Sequence, residues 1–242
     1  MINFAFLQEN LVGEGFACSD ELAGRFDRYA ELLVQWNEKM NLTAITEPDE
    51  IVIKHFLDSL LLLKACPLPA GSSLIDVGTG AGFPSVPVAL MRPDIQLTLM
   101  DSLNKRITFL QTLCQELEIP ADCVHARAEE VGGKPEYREQ YDAACARAVA
   151  HLRELSEYCL PFVKKGGVFV ALKGYEIEQE LEEARYAIKQ LGGKIEKVTK
   201  FTLPGENRRA IVVIRKERPT PPKFPRPSGK IKKSPLEPSH KS

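Results

Sequence analysis

The sequence predicts an α/β fold: a seven-stranded, mostly parallel sheet that ends in an antiparallel hairpin, with helices ahead of it at the N-terminus. Three observations predict it. From Ser73 onward, short apolar runs alternate with helix-period segments across short turns, the pattern of a doubly wound sheet. Leu74-Ile75-Asp76-Val77 runs straight into Gly78-Thr79-Gly80-Ala81-Gly82-Phe83-Pro84, a strand followed by a glycine turn and a helix start. The last two apolar runs are joined only by Leu203-Pro204-Gly205-Glu206-Asn207-Arg208, which is too short for a crossover helix, so they pair as a hairpin.

Taken in order, Asn3 to Phe16 reads as a short helix. Ser19-Asp20-Glu21 then supplies a cap and an acidic first turn for a longer one. The stripe Leu22, Phe26, Tyr29, Leu33, Trp36, Met40 keeps helical spacing and marks a face packed on the sheet. Over Trp36 to Ile45 the period fades and Asn and Thr predict a loop; Pro48 then starts a helix whose apolar residues run from Ile51 to Leu63. Strands are expected near 73–77, 95–100, 122–126, 141–146, 167–172, 194–202 and 209–215, with helices at 83–91, 103–118, 151–160 and 176–191. Three units follow: an N-terminal helical extension over 1–68, a core over 69–216 and a basic, proline-rich tail over 217–242.

Composition narrows the class. Of 242 residues, 44% are hydrophobic and 27% charged, as in a soluble globular protein, and no apolar run is long enough to span a bilayer. Met1-Ile2-Asn3-Phe4 lacks the basic region and cleavage site of a secretion leader, which predicts a cytoplasmic protein. The six cysteines form no C-x-x-C and sit beside no histidine cluster, so no metal site is expected. Cys145, at a strand end, could be a nucleophile or a packed thiol, and no base stands beside it in sequence. The net charge of −1 hides an asymmetry: Glu217–Ser242 holds seven Lys/Arg against two Glu, or +5, which leaves −6 on the rest. The tail, unable to build regular structure, reads either as a solvated linker or as a flexible contact to RNA phosphates with Phe224 free to stack or anchor.

The glycine turn narrows the ligand. Alternating glycines let backbone amides approach a ligand, and Asp101, nineteen residues past Gly82 at the end of the second apolar run, has the spacing of a ribose-binding acid. Phe83 stands where the dinucleotide fingerprint needs Gly or Ala, which argues against NAD, and no G-x-x-x-x-G-K-[ST] is present for a phosphate loop. S-adenosylmethionine remains, with a ribose and adenine for Asp101 and a zwitterionic amino-acid end for the glycine turn.

The motifs D-V-G-T-G-A-G-F-P, M-D-S-L-N-K-R, A-R-A-E-E, A-R-A and A-L-K-G, with the closing hairpin, resemble the class I S-adenosylmethionine-dependent methyltransferase fold, which is Rossmann-like. More narrowly, W-N-E-K-M-N-L-T-A-I, K-H-F-L-D-S-L and the tail K-F-P-R-P-S-G-K-I-K-K-S-P-L are similar to the bacterial small-subunit ribosomal RNA guanine-N7 methyltransferase family, also called RsmG or glucose-inhibited division protein B. The resemblance covers nearly the whole chain. It implies cofactor contacts from Gly78, Gly80 and Phe83, ribose hydrogen bonds to Asp101, and an adenosyl side lined by Ser102 and Leu103. It further implies an adenine end at Ala128 and Glu129 and a cofactor-contacting Arg147. Glu129 can also be read as half of a solvated acidic pair with Glu130. One departure is the Gly132-Gly133-Lys134-Pro135 loop before Tyr141, longer than in some relatives.

The target chemistry is read partly by elimination. After the fourth strand the chain carries Ala143-Ala144-Cys145-Ala146-Arg147-Ala148, not the Asn/Asp-Pro-Pro-aromatic motif of exocyclic-amine methylation, and Cys145 lacks the context of C5-pyrimidine enzymes. Guanine N7 has a lone pair and no proton to remove, so no general base is assigned. Asn41, His55, Arg147 and Lys173 are expected to shape the guanine and phosphate side, although His55 and Lys173 could equally be surface or helix-cap groups. The implied partner is ribosomal RNA or the small ribosomal subunit, met by a monomer with no membrane. A non-catalytic RNA- or cofactor-binding module and a small-molecule methyltransferase remain as alternatives.

Overall fold

The computed structural model describes residues 1–147 and 150–238. Helix α1 (Phe4–Gly13) is capped by Asn3, whose side chain accepts from Phe6 N, and α2 (Asp20–Met40) by Ser19, whose hydroxyl accepts from Leu22 N. The predicted stripe on α2 is the buried one: Phe26, Tyr29 and Leu33 are fully covered, and Trp36 packs against Phe109 with ring centroids 5.6 Å apart. The loop expected from Trp36 begins later. The helix persists to Met40, because Trp36 and Met40 still have apolar surface to cover, and it stops where Asn41 turns into the left-handed region at φ 49°.

Pro48 opens α3 (Pro48–Ile51), which runs through a π-helical turn (Val52–Leu57) into α4 (Asp58–Ala65). The wider turn rotates Val52–Leu57 relative to an unbroken α-helix, and His55 sits in it.

The sheet consists of β1 (Ser73–Val77), β2 (Gln96–Asp101), β3 (Ala121–His125), β4 (Tyr141–Arg147), β5 (Val163–Gly174), β6 (Gly193–Leu203) and β7 (Asn207–Lys216), in the order β3-β2-β1-β4-β5-β7-β6. The first five are parallel, and β7 lies antiparallel between β5 and β6. The order reverses between β1 and β4, the place where open α/β sheets leave a crevice at their carboxyl ends. Strand β5 begins four residues before the expected start. Val163 pairs with Tyr141 ahead of a register shift, so Lys164-Lys165-Gly166, which lies outside the expected strand, is taken into it.

Helices α5 (Ser85–Met91), α6 (Asn104–Glu116), the short α7 (Ala128–Val131), α8 (Leu152–Cys159) and α9 (Glu178–Gln190) connect the strands. One half of the core joins Phe26, Phe56 and Leu33 of the N-terminal helices to Leu74, Leu97, Leu99 and Phe109; the other joins Ile75, Val77 and Ala144 to Leu155, Phe162, Phe169 and Ile188. Alternate residues of β1 thus face opposite halves, as a strand covered on both sides requires.

The tail differs from the open arm that composition predicts. Helix α10 (Ser228–Lys233) forms within it, and Phe224 and Ile231 are buried in the second half of the core. Distant polar partners explain this. Arg138 donates to the carbonyls of Thr220, Pro221 and Phe224, and Glu139 accepts from Thr220 N at 2.7 Å. Buried Lys216 donates to Leu160 O, Val163 O and Thr220 Oγ1, and buried Glu157 grips Arg226 through both carboxylate oxygens. The 131–140 loop is therefore the dock of the tail. Among the described residues no helix is long and apolar enough to cross a membrane.

Candidate functional site

A cavity of about 550 Å³ opens at the carboxyl ends of β1, β2, β3 and β4, within the usual size range of small-molecule sites. Its floor is the glycine turn. Asp76, fully buried, accepts from Thr79 Oγ1 at 2.9 Å and Ser85 Oγ at 2.5 Å, which ties the turn to the start of α5. Among the described residues its other oxygen has no hydrogen-bond partner, and burial pushes the carboxyl up to about 7. The glycines differ in purpose. Gly80, at φ +62°, would aim a Cβ at no atom of the described residues within 4 Å, so its bareness leaves open space in the cavity. A Cβ on Gly82 would meet Tyr29 Oη at 2.7 Å and Val86 Cγ2 at 2.8 Å, so that glycine serves the packing of α2 on α5.

Asp101 ends β2 and is 2% exposed. Its Oδ2 accepts from Gly80 N at 3.0 Å and from Arg106 at 3.2 Å, and its Oδ1 from Leu103 N at 2.9 Å. Ser102, Ala128 and Glu129 line the same end of the cavity, joined by Arg106 and Arg127. Along the sheet order the cavity thus passes from Glu129, beyond β3, to Asp101 on β2, to the glycine turn after β1 and to Arg147 on β4. A purine, a ribose and a charged tail in that sequence match this donor and acceptor set, and the gap above Gly80 is the cradle an adenosyl ligand would fill. The residues fit S-adenosylmethionine.

The β4 end is built differently. Arg147 donates to Asp58 Oδ2 at 3.1 Å and to His55 Nδ1 at 3.1 Å, while Arg209 reaches the other Asp58 oxygen at 3.0 Å. Burial raises the Asp58 carboxyl despite both guanidinium groups. His55 Nε2 lies 2.8 Å from Thr43 Oγ1. Burial first, then the Arg147 charge, push this imidazole down to about 3. The ring stacks on Phe83 at 4.4 Å, Phe83 stacks on Tyr29 at 5.1 Å, and the Arg147 guanidinium lies 4.7 Å from the Phe83 centroid. Phe83 borders the cavity, with its ring clamped in this stack and its amide donating to Thr79 O.

Gly78, Gly80, Phe83, Asp101, Ser102, Ala128, Glu129, Arg147 and His55 all come together around the cavity. Leu103, Asn41 and Lys173 do not border it. Leu103 is 53% exposed, because its amide, not its side chain, turns toward Asp101. Asn41 is spent as the left-handed end of α2. Lys173 is held by Glu180 at 2.5 Å and by Ala150 O at 2.8 Å, which ties β5 to α9 and to the start of α8. Thr43, Arg106, Arg127, Tyr158, Ser228 and Lys232 border the cavity without having been singled out in the sequence. Thr43 lies two residues from Asn41, inside the N-terminal motif, and Ser228 and Lys232 lie inside the tail motif, so motif membership was the available signal. Cys145 is fully buried, with its thiol pushed up by burial, and serves packing. Among the described residues no group of three His, Cys, Asp or Glu could hold a metal ion.

Comparison with solved structures agrees with the fold. The cyclase SpnF superposes with a TM-score of 0.54 at 18% identity over 67% of this chain and 80% of that one; a geranyl diphosphate methyltransferase in complex with SAM gives 0.52 at 14% identity over 66% and 85%. A cyclase and a methyltransferase on one scaffold leave function to the site and to nearer relatives. Those relatives span the chain. Ribosomal RNA small subunit methyltransferase G of Acetivibrio thermocellus is 49% identical over 95% of this chain and 95% of its own. Its namesake in Clostridium botulinum is 44% identical over 97% of this chain and 99% of its own. Residues 23–212 match the GidB family, described as rRNA small subunit methyltransferase G, and the chain belongs to that family.

Proposed function

We propose that the protein transfers the methyl group of S-adenosylmethionine to N7 of a guanine in small-subunit ribosomal RNA. Bound in the cavity, the cofactor supplies an electrophilic methyl group on a sulfonium. Asp101 would accept hydrogen bonds from the ribose hydroxyls, Glu129 and Ala128 would border the adenine, and Gly78 and Gly80 would leave room for the methionine end. The flipped base enters beside Arg147, His55 and Thr43.

The observation that carries this reading is the state of His55. An imidazole pushed down to about 3, with Nδ1 already accepting from Arg147, is too weak a base to strip a proton from an exocyclic amine. Guanine N7 asks for no such base, since its lone pair attacks directly. These side chains therefore act by alignment and by excluding water. Lys232, exposed on α10 at the rim, and neighbouring Lys230 and Lys233 offer positive charge to the RNA backbone. In this reading the chain works as a cytoplasmic monomer and needs no metal, because no Lewis acid is required.

The test offers labelled S-adenosylmethionine with small ribosomal subunits, naked ribosomal RNA and a panel of small molecules in parallel. Label in the RNA of one of the first two is expected. Label confined to small molecules, or none at all, would contradict the proposal.

A further inference from the structure

Resting on the guanine-N7 reading, we propose that the Thr43 hydroxyl selects the base, as a hydrogen-bond donor to O6 of the target guanine. The argument follows one proton. A guanidinium has only donors, so the Arg147 nitrogen 3.1 Å from His55 Nδ1 makes that nitrogen an acceptor. The neutral ring then carries its proton on Nε2, which donates across 2.8 Å to Thr43 Oγ1. Ile45 N donates to the same oxygen at 3.0 Å. Both lone pairs of Oγ1 are filled, so Thr43 retains only its own hydrogen to offer, and it borders the cavity at the β4 end.

This polarity is heavily fixed. Asp58 holds Arg147 at 3.1 Å and is itself braced by Arg209 at 3.0 Å. The Phe83 stack sets the imidazole plane, and Asn37 Oδ1 accepts from Thr43 N at 2.9 Å. A purine edge presents N7 beside the six-position group, which is an acceptor in guanine and an amino donor in adenine. A hydroxyl that can only donate matches guanine and leaves two donors opposed against adenine. Such mismatches discriminate strongly, because a buried polar group is left unpaired. His55 and Arg147 are positioning residues here: they act through Thr43, by filling its lone pairs.

The experiment uses the full chain and small-subunit ribosomal RNA in which the methylated guanine is replaced singly by inosine, which keeps O6, or by 2-aminopurine, which keeps N7 and lacks O6. We expect the wild-type protein to methylate guanine and inosine alike and 2-aminopurine about 10- to 100-fold more slowly in kcat/KM. Thr43→Val should lower the rate on guanine by a similar factor, leave 2-aminopurine nearly unchanged and bind S-adenosylmethionine normally by calorimetry. Thr43→Ser should restore the preference, and His55→Phe, which empties one lone pair of Oγ1, should weaken rejection of adenine at the target position. A Thr43→Val protein that still prefers guanine, or that loses cofactor affinity tenfold, would overturn the inference. Wild-type protein that labels no guanine-containing RNA would instead sink the function on which it rests.

Discussion

Asp101 is the most constrained acid at the cofactor end, since Gly80 N, Leu103 N and Arg106 already orient both of its oxygens. Asp101→Asn is expected to weaken S-adenosylmethionine binding about 10- to 100-fold by calorimetry, the range for losing charge-assisted hydrogen bonds; unchanged affinity would remove Asp101 from the ribose role. His55 has a pH signature. Its folded value of about 3 lies below the ordinary 6.5, so between those values the unfolded chain binds a proton that the folded chain does not. Its contribution is intact above about pH 6.5 and is lost on acidification, by about 2 kcal/mol at pH 5. Asp76, raised to about 7, acts in the opposite sense over the same range. The readout is therefore the difference between wild-type protein and His55→Asn in urea unfolding at pH 7 and pH 5: the gap should narrow in acid, and a constant gap would contradict the buried neutral imidazole. Asp101 was legible from the sequence because a strand end and a fixed spacing announce it. Thr43 was not, because its role depends on His55 twelve residues on and on Arg147 at the far end of β4.

Among elements, the glycine turn separates ligand space from packing. Gly80→Ala puts a Cβ into open cavity at φ +62°, so it should cost about 1–2 kcal/mol of stability while cofactor affinity falls well beyond what that loss explains. Gly82→Ala, blocked by Tyr29 and Val86, should lose about 3 kcal/mol or more. Thermal unfolding and calorimetry on the two variants decide between these purposes, and the reverse pattern would contradict the assignment. Strand and helix positions were readable because apolar period survives wherever an element has one buried face. The misread boundaries fall where another force took over. At β5 a register shift absorbed Lys164, Lys165 and Gly166, and at α2 aromatic packing carried the helix past its fading polar pattern.

At the scale of the whole molecule, the C-terminal segment decides whether the sheet's open end is also an RNA surface. Its proline and lysine content was legible, but its anchorage was not, because Arg138, Glu139 and Glu157 lie far away in sequence. Removing the tail would uncover core as well as charge, so point variants serve better. Phe224→Ala should release α10, with loss of amide protection there and a local cost of about 3–5 kcal/mol. Lys232→Gln should leave the fold intact and lower methyl transfer to ribosomal RNA with a shallower salt dependence. The most direct measurement of the central claim is chemical cleavage at N7-methylguanine in small-subunit RNA after reaction with S-adenosylmethionine. A single new, enzyme-dependent cleavage site that coincides with the transferred label is the predicted result. Label in the RNA without cleavage at any guanine would contradict it.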